Sequence, residues 1–136
     1  MFGQRWADAP RSVRLAVGAE TMVLGYGAGV HVVQFVGQGF HPYSWAPTWL
    51  AIYFTSLTLA DPLAAILLWL RRAAGLYLAV CILVTDAVAN GYADYELSIG
   101  SAVARVSHAV ISILAVAALS TAPWLHSWLR RHGTRR

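Results

Sequence analysis

The sequence predicts an all-α integral membrane protein, with four transmembrane helices in an antiparallel up-down-up-down bundle, and three observations predict it. Of its 136 residues, 58% are hydrophobic and only 12% charged, and the mean hydropathy is +0.56, a composition of the membrane class rather than the soluble one. Four segments approach or exceed about 20 predominantly apolar residues, the length that crosses a bilayer core. Short connections join the second helix to the third and the third to the fourth, which makes those helices antiparallel neighbours. So little chain remains that residues 1–136 read as a single four-helix domain.

The first segment, Leu15 to Gly37, follows Arg5, Arg11 and Arg14. A secretory signal fits it poorly, because the apolar stretch is long, Glu20 interrupts it and no A-x-A site follows before His41 and Pro42. The second runs from Ala46 to Leu70, with Pro47 suited to its first turn. Ahead of it, Phe40, Tyr43, Trp45 and Trp49 have the character of an aromatic belt at headgroup level. The third segment spans Ala73 to Tyr92 and contains the single cysteine, Cys81, so no intrachain disulfide can form. The fourth spans Leu97 to Ser120 and extends to an interfacial end near Leu129, where Trp124 and Trp128 precede the basic tail.

The net charge is +4, but the basic residues flank apolar segments, so the pattern points to orientation in a bilayer and not to nucleic acid. Arginines precede the first segment, form the Arg71-Arg72 turn and close the chain, whereas the two opposite connections carry Asp94 and Glu96 and no Arg or Lys. The positive-inside rule therefore places both termini and the Arg71-Arg72 turn in the cytoplasm.

Each segment also carries polar residues at membrane depth. In the first, Glu20, Gly27, His31, Gln34 and Gln38 recur at spacings of three, four and seven and share a helical face. The second contributes Thr58 and Asp61, the third Asp86 and Asn90, and the fourth Ser101, Arg105, His108 and Ser112. Such alignment predicts a polar seam inside the bundle. By depth, the seam divides into an outer cluster, with Arg105 paired to Asp86 beside Asn90 and His108, and an inner carboxylate pair, Glu20 and Asp61. A carboxyl without a partner in low dielectric favours its neutral form, and can donate a hydrogen bond, carry a proton or receive a cation. Pro62 removes the amide that would bond one turn back, near Thr58. Gly25 and Gly29 stand at GxxxG spacing, for close packing inside the bundle or for a homodimer.

No GxSxG elbow, HExxH motif, phosphate-binding loop or dinucleotide fingerprint is present. The first expectation is a pocket for a small hydrophobic or amphiphilic molecule, such as a sterol-like lipid, quinone or isoprenoid. Candidate contacts are Asp61, Glu20, Thr58, His31, Asp86, Asn90, Arg105 and His108, with Tyr53, Phe54, Trp69 and Tyr77 as apolar walls and proton-transfer or isomerase chemistry as an extension. In layout this resembles the four-helix sterol-isomerase and sigma-2-type receptor class, which also places carboxylates and histidine inside a membrane bundle; the likeness is architectural and carries no residue across. Two alternatives stand beside it: a proton-coupled small-solute transporter acting as a dimer, and an accessory subunit of a larger membrane complex. Axial ligation of haem by His31 and His108 is a further, weaker alternative.

Overall fold

The computed structural model describes residues 6–39 and 42–132. Among these residues it is all-helical, with α1 at Arg11–Gln38, α2 at Thr48–Trp69, α3 at Ala73–Gly91 and α4 at Ala102–His132. All four are long and apolar enough to cross a membrane, the third when counted with the turn that extends it to Glu96. Phe40, Arg5, Arg135 and Arg136 lie outside the described residues.

The helices pack in chain order: α1 lies on α2, α2 on α3 and α3 on α4, while α1 and α4 scarcely touch. Side-chain pairings give the sense of each contact. His31 stacks on Phe54 and Gly27 abuts Asp61, so α1 falls in number as α2 rises. Tyr53 Oη pairs with Thr85 Oγ1 at 2.8 Å, while Gly75 lies against Leu67 and Leu68. Tyr77 Oη meets His126 Nδ1 at 2.9 Å, and Gly91 lies against His108. Every neighbouring pair therefore runs in opposite sequence order.

Three apolar clusters hold these contacts, the smallest being Leu83 with Ala115 and Ala118 between α3 and α4. Leu24, Leu50, Phe54, Leu57, Ala79 and Ile82 join α1, α2 and α3 in the middle of the bundle and toward the α1–α2 connection. At the other end Val13, Val17, Leu68, Leu76, Leu125 and Leu129 gather with Trp6 and Trp128. Here Trp128, expected near an interface, is 5% exposed and stacks on Trp6 at 5.7 Å, whereas Trp124 is 41% exposed. Arg71 likewise does more than orient a turn. Its guanidinium lies 4.7 Å from the Trp6 ring and 5.1 Å from that of Trp128, and it forms an ion pair with Asp8, whose carboxyl it holds below its ordinary value. The aromatic rings shelter a cation that also neutralises Asp8, tying residues 6–9 to the α2–α3 turn.

The third and fourth helices join differently from the expected short turn. Tyr92–Glu96 forms one wide π turn, closed by Leu97 N–H donating to Tyr92 C=O at 3.1 Å. Residues 97–101 are not helical. Ser101, expected on the polar face of the fourth helix, instead caps it, its Oγ accepting from Ala104 N–H at 3.2 Å, which satisfies one of the orphan donors of the first turn. Gly25 and Gly29, expected to pack either inside the bundle or against a second copy, both face outward with open space at the position of a Cβ. The residue between them, Gly27, makes the close internal approach.

Candidate functional site

Because α1 and α4 diverge, a cavity of about 800 Å³ lies between them, within the size range of small-molecule pockets. Its floor is built from α2 and α3 through Phe54, Asp61, Ile82, Leu83, Asp86 and Asn90. Its rim is built from Met22, Tyr26 and Val30 on α1 and from Val106, Ser107 and Val110 on α4, all of them exposed. The cavity is therefore a cleft that opens sideways between two helices and reaches inward to a polar floor.

Asp61 is the deepest charged residue of that floor. It is 3% exposed, and its Oδ1 has no hydrogen-bond partner among the described residues. Its other oxygen, Oδ2, points at Gly27, lying 2.5 Å from where a Cβ on that residue would sit. With no side chain on Gly27, α1 passes close over the carboxyl, and a Cβ there would make the carboxyl turn away. A buried acceptor left unpaired costs about 1–3 kcal/mol, so this position is an unfilled demand for a donor. Asp86 is better provided, since Asn90 Nδ2 donates to its Oδ1 at 3.0 Å and to its backbone carbonyl at 2.9 Å.

The polar face of α1 turns out to hold a loop. Gln38 Nε2 donates to Gln34 Oε1 at 2.6 Å, Gln38 Oε1 accepts from Tyr43 N–H at 3.0 Å, and Tyr43 Oη pairs with His31 Nδ1 at 2.7 Å. Tyr43, expected at headgroup level, is 6% exposed and packs on Phe54 at 5.1 Å between ring centres. Burial, with the nearby Asp86 and Asp61 charges adding to it, pushes its phenol up to about 12. It therefore keeps its proton and can donate to His31 in the tautomer whose ring proton is on Nε2. Tyr43→Phe is expected to keep the fold and lose about 1 kcal/mol of stability, the net worth of one such bond, seen as an earlier transition in detergent unfolding.

Several expected partnerships are not made. Arg105 does not pair with Asp86: it is exposed, and its guanidinium lies 5.9 Å from the Tyr95 ring. Glu20 and Asp61 do not pair either. Asp61 lies opposite Gly27, two turns along α1 from Glu20, which lines a separate side pocket of about 140 Å³ with Ala117, Ala118 and Thr121 of α4. Thr58 Oγ1 is buried without a hydrogen-bond partner among the described residues and is not part of the cavity wall. Of the expected aromatic walls only Phe54 serves; Tyr53 bonds Thr85, Trp69 meets Trp6, and Tyr77 meets His126.

The haem alternative fails its fit. His31 lines the cavity, but His108 lies against Gly91 on the α3–α4 contact, bonds Ser112 and is not part of the cavity lining. The two rings do not face a common space. No group of three or more His, Cys, Asp or Glu with the geometry of a metal site occurs among the described residues.

Asp94 is the residue that reading the sequence missed. Placed by charge and position in an outer connection, it is 7% exposed and lines the cavity, because the π turn carries it inward and Gly100 packs against it. The cavity thus holds three aspartates, Asp61, Asp86 and Asp94, and neither Arg nor Lys among its lining residues. Comparison with protein-family models, with curated proteins and with solved structures returns no match.

Proposed function

We propose that this is a four-helix integral membrane protein, its helices running up-down-up-down, that holds a small amphiphilic molecule in the cleft between α1 and α4. The observation that carries this reading is the buried, unpartnered Asp61 on the floor of a cleft whose rim is apolar. In a bilayer that rim meets lipid, so an amphiphile reaches the floor laterally without leaving the hydrocarbon, and its polar head supplies what the Asp61 carboxyl lacks. Arg71 and the basic tail on the cytoplasmic side, with Tyr43 and the Gly39–Pro47 loop outside, complete the orientation that the positive-inside rule favours.

A second reading, proton-coupled passage of a small solute through a dimer, draws support from Gly25 and Gly29, whose outward faces leave α1 open to a second copy.

Native mass spectrometry of gently extracted protein separates these readings. The wild type is expected to carry a stoichiometric non-protein mass that Asp61→Asn loses or binds at least tenfold more weakly, since one charge-assisted hydrogen bond is worth about 1.5–3 kcal/mol. A wild type that flies bare as a dimer would favour the second reading, and co-purified polypeptides would favour a subunit role.

A further inference from the structure

The cleft reading, on which this inference rests, leaves Glu20 without a role. Glu20 is 8% exposed, and its Oε2 has no hydrogen-bond partner among the described residues. A second buried carboxyl without a partner is a second demand for a donor, independent of Asp61 and on a different helix. It lines a side pocket whose other walls are small and apolar, chiefly Ala16, Ala19, Ala117 and Ala118. The side pocket and the main cavity share Val23, Leu83 and Leu114 in their walls, so the two spaces adjoin.

The helix sets the distance between the two demands. Asp61 sits against Gly27, and Glu20 precedes Gly27 by seven residues on the same helix, which corresponds to about 10 Å along the axis at 1.5 Å per residue. Between these levels both spaces are walled by aliphatic side chains, and neither has Arg or Lys in its lining. The sequence of surfaces is polar, apolar, polar.

We infer that the cleft and the Glu20 side pocket form one elongated site for a two-headed amphiphile, with a hydroxyl-type group at each end of an apolar body. One head meets Asp61 and the other Glu20. A hydroxyl both donates and accepts, so it satisfies a carboxyl in either protonation state, whereas a group that only accepts cannot serve an ionised one. A single-headed lipid fills the apolar part and leaves one of the two carboxyls unanswered.

The test uses the full chain in nanodiscs, with lipid-only nanodiscs as the partition control. It is titrated with 1-alkanols and with α,ω-diols over a series from hexane to dodecane, and binding is read by calorimetry. Diols of intermediate length are expected to bind up to about tenfold tighter than the matching alkanols, the worth of one added hydrogen bond. Shorter and longer diols are expected to lose that advantage. Glu20→Met keeps length and suits the apolar pocket, and is expected to abolish the diol advantage, so that diols bind no more tightly than the matching alkanols; Glu20→Gln, which bonds a hydroxyl without the charge, is expected to keep only part of it. Equal binding of diols and alkanols to the wild type, or a diol advantage that survives Glu20→Met, overturns the two-headed site while the cleft stands. Absence of binding by every probe overturns the cleft and this inference with it.

Discussion

Gly75→Ala is expected to destabilise the protein more than any other single methyl group placed in the bundle. A Cβ at this position would press on the Leu68 amide nitrogen and would lie 2.5 Å from the Leu67 carbonyl carbon and 2.8 Å from the Leu67 Cβ. The first two are backbone atoms of the preceding helix and cannot rotate away. The turn that joins the helices is only Leu70 to Arg72 and already holds Arg71 at a φ of 60°, so it has no slack to let α3 move out. Overpacking of this kind costs about 1–3 kcal/mol, and here the displacement also works against the buried Leu68 and Leu76 packed at the same level. Unfolding in a detergent titration is expected to shift by that amount, and the Trp6–Arg71–Trp128 stack beside the turn is expected to loosen, visible as altered tryptophan fluorescence. A transition unchanged from wild type would mean that α2 and α3 do not approach as closely as described.

Gly27→Leu is expected to abolish binding in the cleft with little cost to the fold. Its side chain would occupy the space that Asp61 Oδ2 uses and project into the cavity, so the carboxyl must turn away and the floor fills. Removing glycine from a helix interior recovers up to about 1 kcal/mol of backbone propensity, which offsets part of the crowding. The comparison that gives this result meaning is Gly25→Leu. That position is exposed and a Cβ there meets nothing within 4 Å, so binding is expected to remain at the wild-type level. Loss of binding in both variants would locate the site at an α1 surface shared between copies rather than inside the cleft.

The sequence was most informative about the position and length of each helix and least informative about the pairing of polar groups. Hydrophobic length alone located the four helices, because spanning length is a property of composition that neighbours do not alter. Periodicity on α1 also identified a polar face, and His31, Gln34 and Gln38 do share work. Their work is to hold Tyr43, though, and Tyr43 lies across a loop whose fold no periodicity describes. Depth matching failed for Arg105 and Asp86, since two residues at one level can still face different directions, and the buried residues of α4 are apolar ones, Ala115, Ala118 and Leu125 among them, rather than its charged ones. Asp94 was missed because a π turn adds a residue to the helical repeat and redirects the side chains that follow, which a fixed repeat of 3.6 does not anticipate. Asp61 was legible for the opposite reason. A carboxylate in an apolar run must find shelter, and whichever way the helix rotates, the sheltered direction is inward.

The central claim is that an amphiphile occupies the cleft between α1 and α4, and photocrosslinking tests it most directly. A diazirine-bearing amphiphile is added to the protein in nanodiscs, illuminated, and the labelled peptides are read by mass spectrometry. Labelling is expected to concentrate on Met22, Tyr26 and Val30 of α1 and on Val106 and Val110 of α4, and to be displaced by unlabelled amphiphile and reduced by Gly27→Leu. Labelling spread evenly over exposed positions remote from the cleft, such as Ile52, Leu59 and Leu63 of α2, and indifferent to competitor, would be the pattern of bulk lipid and would contradict the account.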